Sequence, residues 1–289
     1  MEIQDPLYYE RMDSSIGDKR KIIPFIVGSR VLDVGCGDGV LMEALREAGL
    51  EVCGLDATEE SVNRTVAKGF AQERVALAYA HQILDSFGEE YFDTIICSSI
   101  IHEVFSYGTP ELGSLSEEAV DITFKAIFKA LKPGGRLIIR DGIIPEDWDT
   151  KLQIIFNPHN PSIDLPLVEK YLSMIPFKGQ ENQTEYRKVN LNRLSKYVYE
   201  GTAESIMEFL YTYTWGEKAF HRETQELYGF NTLTAYVNHL ETFGFNIIEA
   251  ESYLQEGYAN HLKNKVMILD NWVYRDFFDT NALIVAQKD

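Results

Sequence analysis

Two stretches of the chain hold residue types and spacings that can do chemistry. In the first, "VLDVGCGDG" (31–39), an apolar run containing Asp33 breaks into Gly35, Gly37 and Gly39, each separated by one residue. Glycine costs backbone entropy, so three in five positions mark a tight turn or a place where something approaches the main chain closely. The next apolar run, "EVCGLD" (51–56), ends on Asp56, twenty-one residues after Gly35. A carboxylate placed there accepts hydrogen bonds from both hydroxyls of a ribose. The dinucleotide fingerprint wants its third glycine three residues after the second, but position 40 is Val40, which argues against a nicotinamide or flavin cofactor. A nucleoside is implied.

The second stretch, "CSSIIHEVFSYG" (97–108), sets His102 and Glu103 just beyond an apolar run. An imidazole of ordinary pKa at that point can take a proton from a reacting group; a packed structural histidine is the alternative. A His–Glu pair also serves metal sites and helix caps. Neighbouring positions do not share a helical face, so no metal site is expected. Asp141, directly after "RLIIR" (136–140), is a second catalytic candidate and equally a loop cap. Cys36, Cys53 and Cys97 lie in or beside apolar segments, with no CxxC pair and no nearby histidine partner, and read as reduced core thiols.

Further along, "TEYRKVNLNRLSKYVYE" (184–200) carries Arg187, Lys188, Arg193 and Lys196 against Glu185 and Glu200, and Leu191, Leu194 and Val198 fit the stripe of a helix. Either this is a solvated face, or Arg187 and Arg193, joined by Arg222 of "HRE", recognise a phosphate or carboxylate on a substrate. The run "FLYTYTW" (209–215) alternates like a strand and also fits a helix. Its Tyr211 and Trp215, with Tyr213, either wall a substrate pocket or belong to a core. Tyr8 and Tyr9 are placed to close over a bound ligand by position alone.

These residues need a scaffold. From 30 to 141 apolar strand-like runs alternate with amphipathic helices, the pattern of a parallel, doubly wound α/β sheet. A helix at 232–245, with Gly244 as its stop, and strands at 246–253 and 281–288 resume the style. The expected organisation is an N-terminal helical segment (1–29), one α/β domain made of 30–142 and 232–289, and an α-rich insertion (143–231) after the fifth strand that covers the sheet's edge. A second, shorter insertion occupies 254–279. With 289 residues, 45 acidic against 27 basic and a net charge of −18, bulk nucleic-acid binding is disfavoured. The N-terminal stretch lacks the basic start and apolar core of a signal peptide, and no apolar run reaches membrane-spanning length. A cytoplasmic protein with no membrane partner is expected.

"VLDVGCGDG", the "GLD" that follows it and "LKPGG" (131–135) before the fifth strand resemble the class I S-adenosylmethionine-dependent methyltransferases over 30–141 and 232–288. The resemblance implies a Rossmann-like, mostly parallel sheet of seven strands, the last antiparallel, with S-adenosylmethionine as cofactor. It assigns Asp33, Gly35, Gly37 and Gly39 to the methionine part, Asp56 to the ribose and Ser98, ending the fourth strand, to the cofactor contacts. Where many members carry Asp after the third strand, this chain reads "AYAHQILD" (78–85), leaving His81 or Gln82 for the adenine. The implied activity is methyl transfer to a small or medium-sized acceptor, anionic if the basic run takes part, with the insertion choosing the substrate. A cofactor-binding protein that does not methylate and an RNA- or nucleotide-modifying enzyme are the alternatives.

Overall fold

The computed structural model describes residues 16–172 and 189–289. A short helix, α1 (Ile16–Lys19), and a 3-10 turn lead into β1 (Arg30–Val34), α2 (Val40–Glu47), β2 (Glu51–Asp56), α3 (Glu59–Ala67) and β3 (Val75–Leu77). Then come α4 (Ile83–Phe87), β4 (Phe92–Ser98), α5 (Ile101–Tyr107), α6 (Glu117–Ala130) and β5 (Leu131–Gly142). Local signals set these boundaries. Thr58 caps α3 by accepting from Ser61 N, and Glu59 and Glu60 sit in its first turn at the positive end of the helix dipole.

After β5 the chain leaves this alternation for β6 (Lys151–Phe156), α7 (Leu165–Leu172), β7 (Asn192–Arg193), β8 (Val198–Thr202), α8 (Ala203–Trp215) and α9 (Phe220–Glu223). It returns through α10 (Leu233–Thr242) and β9 (Phe245–Tyr253), leaves again for α11 (Glu256–Leu262), β10 (Val266–Asp270) and β11 (Val273–Arg275), and ends on β12 (Asn281–Lys288).

Seven strands form one sheet in the order β3-β2-β1-β4-β5-β12-β9. β12 runs antiparallel to both its neighbours, and the β1–β5 pairings are parallel. Side chains alternate across it: Leu32 and Val34 pack on one face with Phe105, Phe124 and Tyr236, while Val31 packs on the other with Met42, Leu45 and Ile138. The parallel strands end together, so Asp33 to Gly35, Asp56, Ser98 and Asp141 gather at one edge, where ligands of open α/β sheets bind.

The two insertions join. Strands from 143–231 and 254–279 form a second, five-stranded sheet, β11-β10-β6-β8-β7, antiparallel throughout. Besides its helices, the insertion therefore holds a sheet that the residue pattern did not announce, with a core of its own around Phe156, Tyr199, Phe209 and Ile268. In the described part of 184–200 the expected helix is replaced by β7, a turn and β8. Tyr199 and Gly201 point inward at strand period, and Leu194, placed in the supposed apolar stripe, is exposed. The aromatic run settles as α8, capped by Thr202 and closed by Gly216. It is buried nearly all round, which is why its alternating aromatics also fit a strand. The three cysteines are buried and unbridged.

Candidate functional site

The glycine turn after β1 is tied down from both sides. Gly35 and Cys36 N donate to Leu55 O at 2.7 and 3.1 Å, and Asp56 accepts from Gly37 N at 2.9 Å while also accepting from Thr58 N and its hydroxyl at 2.9 and 2.8 Å. Gly35 has φ +71°, and a Cβ there would lie 2.5 Å from Ile100 Cδ1. The backbone itself demands glycine at this point, with or without a ligand. Beside the turn lies a narrow slot lined by Lys19, Asp33, Gly35, Asp38 and Ser98. Burial pushes the Asp33 carboxyl up to about 7, with Lys19 pulling it back and Asp56 adding to the rise. Ser98 Oγ is buried there without a hydrogen-bond partner. A second, mostly apolar slot of about 90 Å³ opens from Gly35 past Leu55, Tyr79 and His81 to Glu103.

Across the strand ends, the second compartment is a cavity of about 340 Å³ between the seven-stranded sheet and the insertion. His102, at the start of α5, is buried on its floor, its Nδ1 2.6 Å from Asp141 Oδ1 and its Nε2 3.8 Å from Glu226 Oε2. Asp141 is locked by three backbone donors: Ile101 N at 2.6 Å, His102 N at 3.1 Å and Gly142 N at 2.8 Å. Burial works against a charge on the imidazole, but Asp141 and Glu226 outweigh it and hold the His102 pKa well above its usual value. The sequence leads one to expect an imidazole of ordinary pKa; the carboxylates at both nitrogens instead favour its protonated form when nothing else is bound.

Around it stand more acids than bases. Arg222 lies 3.3 Å from Glu226 Oε1, 3.7 Å from Glu103 Oε1 and 3.9 Å from Glu223 Oε1. Tyr107 donates to Glu226 Oε1 at 2.7 Å, and the Tyr228 hydroxyl donates to Glu223. Burial first, then repulsion from Glu226, pushes Glu103 up to about 7 and Glu223 up to about 8; Glu226, which has His102, Arg222 and Tyr107 as partners, is lowered despite its burial. One face of the cavity is aromatic: Tyr228 stacks on His102 with centroids 4.8 Å apart, and Tyr211 stacks on Tyr228 at 5.3 Å.

The sheet order, the reversed β12 and the glycine turn have counterparts among known proteins. The family model described as "Methionine biosynthesis protein MetW" matches residues 17–129. A structure described as a SAM-dependent methyltransferase from Archaeoglobus fulgidus superposes with a TM-score of 0.53 at 16% identity, covering 97% of this chain and 100% of that one. A second, from Mesorhizobium loti, gives 0.53 at 15% identity over 95% and 98%. The chain has the fold of the class I S-adenosylmethionine-dependent methyltransferases. Among curated relatives, a ubiquinone biosynthesis O-methyltransferase from Idiomarina loihiensis is 33% identical over 116 residues, 39% of this chain and 42% of that protein. One of the same name from a Shewanella strain is 30% identical over 139 residues, 47% and 50%. The chain thus spans half or less of the length of these relatives, and the family model stops within α6, short of every insertion residue in the cavity.

Within the methyltransferase fold, the residues singled out from sequence separate cleanly. Asp33, Gly35 and Ser98 line the first slot, and Gly37, Gly39 and Asp56 build the turn beside it. His81 lines the second slot, stacked on Tyr79 at 5.8 Å, whereas Gln82 turns away to accept from Tyr79 N. His102, Asp141, Tyr211, Trp215 and Arg222 all line the cavity. Arg193 does not: it is an exposed residue on the two-residue edge strand β7, paired with Glu169 at 3.0 Å. Arg187, Tyr8 and Tyr9 lie outside the described residues. Sequence reasoning kept His102 as a catalytic candidate, set the His102–Glu103 pair aside only as a metal site, and missed Glu226, Glu223 and Lys19. In a chain with 45 acids, two glutamates three residues apart carry no signal of burial. Among the described residues no helix is long and apolar enough to cross a membrane.

Proposed function

We propose that the protein transfers the methyl group of S-adenosylmethionine to an oxygen of a small molecule held in the cavity between sheet and insertion. One observation carries this reading: the slots at the glycine turn and the cavity share walls. Lys19 lines the Ser98 slot and the cavity, and Glu103 lines the His81 slot and the cavity, so a nucleoside on one side and an acceptor on the other meet at the ends of β1 and β4. The orphaned Ser98 hydroxyl and the bare backbone of the turn fit a cofactor with an amino-acid tail. Asp33, Gly35, Gly37, Gly39 and Ser98 would hold that tail, Asp56, with a lone pair to spare beyond its three donors, the ribose, and His81 the base. The cofactor supplies a methyl group on a cationic sulfur, already activated as a leaving group.

The chain's own part is to align the acceptor and keep water out. A volume of about 340 Å³ falls in the range of small-molecule sites. Tyr211, with its hydroxyl tied to Ile143 O and Thr280 O, offers a rigid ring face rather than a polar group. The relatives named O-methyltransferases support oxygen as the acceptor atom. Of the arginines singled out for an anionic acceptor, Arg193 lies elsewhere and Arg222 is ringed by three glutamates, which does not favour a direct grip by either, while Arg187 lies outside the described residues.

The test is incubation of the full chain with methyl-labelled cofactor and a metabolite extract, following S-adenosylhomocysteine formation and a product heavier by one methylene. Product that disappears when the extract is first treated with nuclease would transfer the reading to an RNA modifier. Cofactor binding by calorimetry with no turnover in any extract would assign the fold to a non-methylating role.

A further inference from the structure

The geometry points to a divalent cation site made by His102, Glu103 and Glu226, whose open positions face the cavity and receive an oxygen of the acceptor. One ligand atom from each residue lies within 4.8 Å of those from the other two. His102 Nε2 and Glu226 Oε2 are 3.8 Å apart; two donors bound to one ion at about 2.1 Å sit roughly 3–4 Å apart, depending on the angle between them. The pair is already at ion-binding separation.

The surroundings are those of a ligand set. Asp141 takes the Nδ1 side of His102 at 2.6 Å, leaving Nε2 to face the cavity, and three backbone N–H groups fix Asp141 in turn. A carboxylate behind an imidazole is the support that orients metal-binding histidines and raises their basicity. Glu226 is braced in the same way: Tyr107 and Arg222 hold Oε1, and Oε2 faces His102. Arg222 holds Glu226 Oε1 at 3.3 Å and lies 3.7 Å from Glu103 Oε1, steadying both carboxylates while Glu226 Oε2 is turned to His102.

Charge supplies an independent reason. Asp141, Glu103, Glu223 and Glu226 converge on one guanidinium and one imidazole, with Asp141, Glu223 and Glu226 almost fully buried. Surplus negative charge out of water is costly unless paired. A dication supplies the missing positive charge. One imidazole and two carboxylates suit Mn²⁺, Fe²⁺ or Zn²⁺, and three protein ligands leave positions open, as catalytic rather than structural sites do. An oxygen bound there would be acidified by the ion. The acid-lined wall would then attract an oxygen acceptor instead of repelling it. This last point rests on the proposed methyl transfer; the ion site itself does not.

The test uses the full chain, stripped with chelator and titrated with Mn²⁺, free ion being followed by electron paramagnetic resonance and Zn²⁺ used as competitor. A single competable site per chain is expected. His102→Gln and Glu226→Gln should each weaken it at least about 100-fold, while S-adenosylhomocysteine affinity stays unchanged and reports an intact slot. Glu59→Gln, an exposed residue at the start of α3, should change nothing. Binding weaker than millimolar for both ions, or binding undiminished in both cavity variants, overturns the site. If Mn²⁺ binds as described and no extract is methylated, the ion site stands and the proposed function falls. If methyl transfer proceeds at full rate in chelator, the acceptor-binding role of the ion falls alone.

Discussion

The two compartments at the sheet's edge are built on opposite electrostatic plans. The slot is mostly backbone, and its acids are given donors: Asp56 has three, and Asp38 has Lys68 at 3.0 Å. The cavity is mostly side chain, drawn from α1, α5, β5, α8, α11 and the segment around α9, and Glu103, Glu223 and Glu226 crowd the single guanidinium of Arg222. A compartment whose groups are satisfied before anything binds is rigid and indifferent to its contents. One whose groups are left wanting depends on what fills it. Apart from the unpartnered Ser98 hydroxyl and the Asp33 carboxyl, the slot has the first character and the cavity the second, which is the division expected between a site for an invariant cofactor and a site that selects a substrate.

Asp33 is the slot's ionisable exception, and it offers the hardest test of the contrast. Its carboxyl sits at about 7 because burial opposes the charge, against about 3.9 in an unfolded chain. A carboxyl with a raised folded pKa binds its proton more tightly in the native state. Its stabilising effect is therefore complete below about pH 4 and lost as pH rises through 7. Linkage puts the loss at up to about 4 kcal/mol. Between pH 5 and pH 8 the wild type should lose more thermal stability than Asp33→Asn. Parallel curves for the two would show that Lys19 compensates Asp33 fully and that the slot has no ionisable exception.

Next in size is Gly35→Ala. The substitution asks alanine to hold φ +71° with its Cβ 2.5 Å from Ile100, a combination of strain and overpacking worth about 3 kcal/mol. Chemical denaturation should show that loss with no ligand present. Ile100→Ala in the same chain should restore part of it by making room. Full stability in Gly35→Ala would mean that the glycine is kept for the cofactor alone.

Asp56→Ala follows. It removes the clamp on Gly37 N together with the proposed ribose acceptor, each hydrogen bond contributing about 1 kcal/mol. Cofactor affinity should drop at least about tenfold in calorimetry, with the fold retained. Unchanged affinity would reduce Asp56 to a brace for the turn.

The same division explains why one compartment is legible in the sequence and the other only partly so. Backbone sites are local in sequence, so Gly35, Gly37, Gly39 and Asp56 announce themselves within 26 residues, and the strand–helix alternation that carries them is equally local. His102 and Asp141 are visible because each follows a strand end, where parallel sheets place their chemistry. Glu223 and Glu226 arrive from a segment more than 80 residues after Asp141, through the insertion, and only packing makes them neighbours of His102. Glu103 is set aside on sequence grounds because adjacent residues diverge along a regular helix. At the first turn of α5, long glutamate and histidine side chains reach one point all the same. In the basic run at 184–200, Arg193 misleads for the converse reason: it is exposed on an edge strand and finds Glu169 instead of a ligand, while Arg187 lies outside the described residues.

The smallest effect is expected at Tyr258, and it separates a wanting cavity from a merely acidic one. Its ring packs beside Tyr211 with centroids 5.8 Å apart, it is 8% exposed, and its hydroxyl lines the cavity without a hydrogen-bond partner. A buried hydroxyl left unmade costs about 1–3 kcal/mol, which a protein recovers only when something arrives to bond it. Tyr258→Phe should thus leave the ligand-free chain as stable as wild type, or more stable by up to about 1 kcal/mol, and should not touch cofactor affinity. Its cost should appear in the acceptor's KM, raised severalfold with kcat nearly kept, because the bond forms on binding and does not strengthen during transfer. A clear fall in Tm would show that the hydroxyl is already satisfied by the fold. In that case the insertion face of the cavity, unlike the cluster around His102, would be finished before the acceptor enters.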